Sequence, residues 1–160
     1  MKVVPEALMK ASLFRLEVDV KSAGMPEFID ITENVENFVA LSGVTSGFVV
    51  VFSQHTTAAV VIQENEPLLL KDMSDALDHF APKAANYRHN DFKVRTVHMH
   101  EDECPNGHSH CQHLALGSSE TIPISEGKLT LGKWQRIFVV ELDDDASKEF
   151  RQILIQTLGI

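Results

Sequence analysis

The sequence predicts an α+β fold: a single domain over residues 1–160, with one large mixed or mostly antiparallel β-sheet and two main helices. Three observations predict it. Several segments are β-branched or alternate apolar and polar residues with period two. Two segments carry apolar residues at helical spacing behind recognisable start signals. No repeat, low-complexity tract or linker interrupts them.

Residues 12–20, SLFRLEVDV, put Phe14, Leu16, Val18 and Val20 on one face and Arg15, Glu17 and Asp19 on the other, as a half-buried strand does. Ser22 to Pro26 is a turn. Asp30 and Glu33 can form a capping box before Ile31, Val35, Phe38, Val39 and Leu41 at helical spacing, and Gly43 is a stop. SGFVVVFS, 46–53, is a β-branched run suited to a central strand. Ala58 to Gln63 is the next strand, so His55, Thr56 and Thr57 sit at a connection. Pro67 suits a first helical turn, and Leu69, Met73, Leu77 and Phe80 mark one face of a helix ending near Ala81.

Asn86 to Asp91, NYRHND, is a loop or helix end. Val94 to His100 can be a strand, with His98 and His100 on the face of Val94 and Thr96. Ser109 to Leu116 stays open. In a strand His108 and His110 point the same way; in a helix His110 and His113 do. Glu120 to Ile124, a turn at Ser125-Glu126-Gly127, and Lys128 to Leu131 form a hairpin. Trp134 to Leu142 and Phe150 to Leu158 are two further strands.

A hydrophobic content of 44% and a charged content of 23% are ordinary for a soluble globular protein. The net charge of -9 opposes a nucleic-acid surface and broad contact with anionic membranes. The N-terminus has no apolar run suited to a signal peptide, and no segment reaches the ~18 apolar residues of a membrane helix. The expectation is a soluble, cytoplasmic protein whose Cys104 and Cys111 stay reduced.

Five of the eight histidines lie between His98 and His113, in VHMHEDEC and NGHSHCQHLALG, with Glu101, Asp102 and Glu103 among them. Imidazole and carboxylate bind transition metals and move protons near neutral pH, so this stretch is the candidate active centre. The alternative is a solvated histidine-rich loop. The spacing of Cys104, His108, His110 and Cys111 matches no standard zinc finger. His55-Thr56-Thr57 can position an anion or a general base, or can be a polar turn. Glu64-Asn65 and His89-Asn90-Asp91 offer groups that can converge on one pocket, or act singly as a helix cap or solvated loop, and Ser118-Ser119 can donate to a phosphate or cap a strand. No GxSxG, Walker A or GxGxxG sequence is present.

The segments FVVVFSQHTTAAVVIQEN, NYRHND, NGHSHCQHLALGSSETIPI and EGKLTLGKWQRIFVVELD, between about residues 46 and 143, resemble the YjbQ family. The resemblance implies an α+β fold, a homotrimer and secondary thiamine-phosphate synthase activity, in which hydroxymethylpyrimidine diphosphate joins thiazole phosphate. The family's motif histidines correspond to His55, His89 and His110, with His108 present in many members. Glu64, Asn65, Ser119, Trp134, Gln135 and Glu141 also occupy motif positions. On this reading His89, His108 and His110 hold a divalent transition metal, zinc, nickel, copper or iron, and His55, Thr56, Glu64 and Ser119 serve a small phosphorylated substrate. The alternatives are a non-catalytic metal- or ligand-binding trimer and a metal-dependent hydrolase of a phosphorylated or acyl compound. This chain departs from the family at three places. Glu66-Pro67 is one residue shorter than the usual run and lacks its Asp. Gln112 replaces a usual Lys or Arg. Asp143-Asp144-Asp145 replaces a basic stretch.

Overall fold

The computed structural model describes residues 8–20, 24, 26–101, 103–143 and 150–160. The elements are β1 (Lys10–Asp19), β2 (Glu27–Asp30), α1 (Thr32–Ser42), β3 (Ser46–Ser53), β4 (Ala58–Gln63), α2 (Pro67–Phe80), α3 (Gly107–Leu116), β5 (Ser119–Ser125), β6 (Lys128–Leu129), β7 (Arg136–Glu141) and β8 (Phe150–Gly159), with a 3-10 turn at Arg88–Asn90. The expected α+β class is present. The sheet, however, is divided in two: a five-stranded one of order β1-β8-β3-β5-β6 and a three-stranded one of order β2-β7-β4. Every pairing is antiparallel. β3 is central, as its apolar run implies.

The two sheets enclose one apolar cluster with α1, which joins Val35 and Val39 to Val49, Val51, Val60, Ile137, Val139, Ile153 and Ile155. A second cluster lies beyond the three-stranded sheet, where Ala59, Val61, Phe138 and Val140 meet Leu77 of α2. β4 and β7 therefore bury both faces. That is why their sequences, AAVVI and IFVV, are continuously apolar while β1 and β8 alternate. The outer face of the five-stranded sheet leaves Leu13, Phe48 and Phe52 exposed, at 53%, 40% and 40%. Among the described residues no helix is long and apolar enough to cross a membrane.

Local signals explain most boundaries. Gly43 ends α1 at a φ of 65°. Pro67 opens α2, and Glu66 caps it by accepting from the amides of Leu68 and Leu69. Glu126 and Gly127 both take positive φ, the geometry of a two-residue hairpin turn.

Several expectations are corrected. The capping box is not formed. Asp30 instead accepts from the backbone and hydroxyl of Thr32, and Glu33 is solvent-exposed, 3.9 Å from Arg136. Phe80 is exposed, because α2 turns only its Leu77 edge fully into the core. Residues 94–100 form no strand: no neighbour pairs with them, Val94 and Val97 face solvent, and His98 adopts a φ of 52°. β7 begins at Arg136, leaving Trp134 outside it and 62% exposed. β2 was not expected from the sequence. The open segment 109–116 is helical. The turn expected at 22–26 lies mostly outside the described residues.

Candidate active site

One end of the three-stranded sheet carries an open cleft of about 700 Å³. Its walls come from five places: the β3–β4 connection (Gln54, His55, Thr56, Thr57), the 3-10 turn (His89), the loop from Arg95 to Asn106, α3 (His110) and the flanks of β7 and β8 (Asp143, Arg151). Volumes of this order suit small-molecule sites.

The meeting of His89 with His110 is built by the backbone. Gly107 donates its N–H to Asn90 Oδ1 at 2.9 Å. A Cβ on Gly107 would lie 2.5 Å from the Tyr87 Cβ. Only a glycine lets α3 start this close to the 3-10 turn. The His89 and His110 rings then stand edge to face, with centroids 4.6 Å apart. Burial, followed by the neighbouring His89, lowers the pKa of His110 and favours the neutral imidazole.

His55 has a different role. Its Nε2 accepts the backbone N–H of Gln152 at 2.9 Å, which places the ring proton on Nδ1. In the loop, Arg95 holds Glu103 through both terminal nitrogens, at 2.6 and 3.3 Å, and reaches the His98 carbonyl at 2.9 Å. Asn106 donates to Asp143 at 2.9 Å.

Beneath the cleft, Glu141 is fully buried. It accepts from Arg151 Nε and, at 2.6 Å, from Arg151 Nη2. It also accepts the amides of Leu142 and Asp143 at 3.0 and 2.8 Å. Arg151 Nη2 lies 3.4 Å from Thr57 Oγ1.

The expected site residues therefore divide. His55, Thr56, His89 and His110 share the cleft with His98 and His100. His108 does not line it; it is 4% exposed, with Nε2 3.3 Å from Ser109 Oγ and its ring beside Tyr87. Residues two apart on a helix face different ways, so His108 and His110 diverge. His113 contacts Ser118 Oγ instead. Glu64 follows the far end of the six-residue β4, about 20 Å of strand from Thr57 at ~3.3 Å per residue. Ser119 opens β5, exposed and away from the cleft lining. Cys104 points at Asp143, 3.9 Å away, and Cys111 is half-buried. Sequence reading did not single out Arg95, Asn106 or Arg151, and it marked Asp143 only as a departure from the family's basic stretch. Arg151 had a signal: it is the charged residue on the inward parity of β8, shared with Ile153 and Ile155.

The imidazole pair bears directly on metal binding. One ion shared by two imidazoles needs a ring nitrogen of each aimed at one point, a demand separate from the 4.6 Å centroid distance of His89 and His110. Among the described residues no three His, Cys, Asp or Glu side chains are gathered tightly enough to cage an ion.

Comparison with known proteins places the chain in a family. The family model described as UPF0047 protein YjbQ-like matches residues 16–160. A UPF0047 protein of Methanothermobacter thermautotrophicus is 34% identical over 139 residues, covering 87% of this chain and 90% of that one. The UPF0047 protein YugU of Bacillus subtilis is 33% identical over 127 residues, covering 79% and 87%. Among solved structures, a YbjQ-like protein of unknown function from Sulfolobus solfataricus superposes with a TM-score of 0.82 at 33% identity, over 96% of this chain and 100% of that one.

Proposed function

The chain belongs to the YjbQ-like UPF0047 family, and from that premise we propose that its histidine-lined cleft is an active site that binds a divalent cation and a small phosphorylated substrate. The specific reaction is the thiamine-phosphate synthase step: a C–N bond forms between the thiazole nitrogen and the pyrimidine methylene carbon, and the C–O bond to diphosphate breaks. The observation that carries the reading is the convergence of His55, His89 and His110 from three separate segments on one open cleft.

The electrostatics favour the cation. Arg95 is paired with Glu103 and Arg151 with Glu141, so each pair is close to neutral and the cleft carries little net positive charge of its own, whatever N–H donors the guanidinium groups still offer. An anionic substrate gains affinity once a cation is present. His89 and His110 would hold that ion, which would offset charge on the departing diphosphate. His55, whose ring is fixed in the cleft wall by the Gln152 amide, orients the leaving diphosphate. Thr56, exposed in the cleft lining, offers a hydroxyl for orientation. The homotrimer belongs to the same proposal. Its support is the uncovered outer face of the five-stranded sheet, where Leu13, Phe48 and Phe52 meet water.

The test is a turnover assay with both precursors, with and without added zinc or nickel. The expected result is cation-dependent release of pyrophosphate with formation of thiamine phosphate, and loss of bound metal in His110→Ala. Unchanged metal content in that variant contradicts the cation site. Phosphate release from either precursor alone, without coupling, replaces the synthase reading with a hydrolase.

A further inference from the structure

We propose that Arg151 is the oxyanion anchor of the cleft, presenting its Nη1 edge to a phosphate or diphosphate group of the ligand. The proposal rests on the reading of the cleft as a substrate site and assigns the residue that fixes the anion.

The hydrogen-bond inventory of the guanidinium carries the argument. Nε and Nη2 are committed to Glu141, and Nη2 also approaches Thr57. Among the described residues Nη1 has no protein acceptor, although Arg151 is 96% removed from solvent by its 4% exposure. What remains exposed borders the cleft. An arginine needed only to neutralise Glu141 would be served by its Nε–Nη2 side alone. The remaining nitrogen, Nη1, carries two N–H donors held in the guanidinium plane, and the outward one is placed to meet a phosphate oxygen.

The surroundings hold that edge still. Glu141 accepts from two backbone amides as well as from Arg151, so the carboxylate is fully engaged and gives the guanidinium a rigid seat. The cleft's other guanidinium is spent: Arg95 uses Nη1 and Nη2 on Glu103 and the His98 carbonyl. Arg151 is also next in sequence to Gln152, whose N–H holds His55. One short segment therefore orients both the anion donor and the cleft's first imidazole.

The probe is inorganic pyrophosphate, titrated calorimetrically into metal-free protein. The expected result is measurable binding by the native chain, weakened at least tenfold in Arg151→Lys, which keeps the positive charge against Glu141 but has no second terminal nitrogen. Equal affinity in a folded Arg151→Lys variant, or no binding by the native chain, overturns the proposal. If the variant does not fold, guanidinium ¹⁵N signals of the native protein decide. Movement of the Arg151 signals with pyrophosphate supports the anchor, and their indifference overturns it. Metal content of His110→Ala is read separately: its loss or retention bears on the cation reading alone.

Discussion

On one side of α3, Ser109 and Gln112 are buried and bonded into the frame. Ser109 Oγ donates to the Leu142 carbonyl at 2.7 Å, and Gln112 Nε2 reaches the carbonyls of Leu77 and Ala81 at 3.3 and 3.2 Å. His108 shares that side. On the other, His110 stands half-buried against His89 at the cleft wall. The packed side fixes the helix to α2 and to the end of β7; the open side gains a rigid mount for one imidazole. The comparison teaches that a histidine-rich run on a helix is divided by its rotation, so its histidine count is not a ligand count. It also accounts for Gln112: an amide reaches two carbonyls there, on the side away from the cleft.

The largest test of this division is Gln112→Ala. Loss of both hydrogen bonds at a buried position, plus the space left behind, should cost about 2–3 kcal/mol in urea unfolding, with bound metal retained. Next is Gly107→Ala. Its methyl group would meet Tyr87, costing about 1–3 kcal/mol through overpacking, and should part His89 from His110. Metal loss from a protein whose circular dichroism is native would confirm that the glycine sets the pair. A third test compares neighbours. His108→Ala should cost about 1–2 kcal/mol and keep metal, whereas His110→Ala should stay within about 0.5 kcal/mol and lose it. The reverse pattern would break the assignment of the two sides.

The smallest effect is in pH. Burial holds His110 and His113 below the ordinary histidine value of 6.5, and His89 adds to the effect at His110. The unfolded chain therefore takes up protons first as pH falls. The native state keeps its full contribution from these rings above about 6.5 and loses it as pH drops through that value toward the lowered ones. Replacing His110 with Ala should flatten the stability slope in that window, as read from urea midpoints at several pH values.

Much of the frame was legible. β3 and β4 have the bounds their β-branched runs imply, and Gly43 and Pro67 mark helix ends by backbone chemistry alone. What misled was pattern without partners. Residues 94–100 alternate like a strand, but a strand needs a neighbouring ladder, and this segment is held by Arg95 instead. β2 has four residues, too few for periodicity to register. At the site, His55, His89 and His110 were visible as residue types. The convergence of Asp143 and Arg151 on them depends on strand pairings far apart in sequence. Which way the helix turns His108 depends on tertiary packing, here Tyr87 beside its ring and the bonds of Gln112 to α2, which no local spacing encodes.

The contact between His55 and Gln152 has a further consequence. The β3–β8 pairing extends only to Ser53 opposite Ile153, so the next amide of β8 finds a side-chain ring where another strand residue would have stood. An imidazole completes the ladder. In His55→Ala the Gln152 amide would lose that partner, so a side chain of the cleft wall also finishes the hydrogen bonding of a strand end.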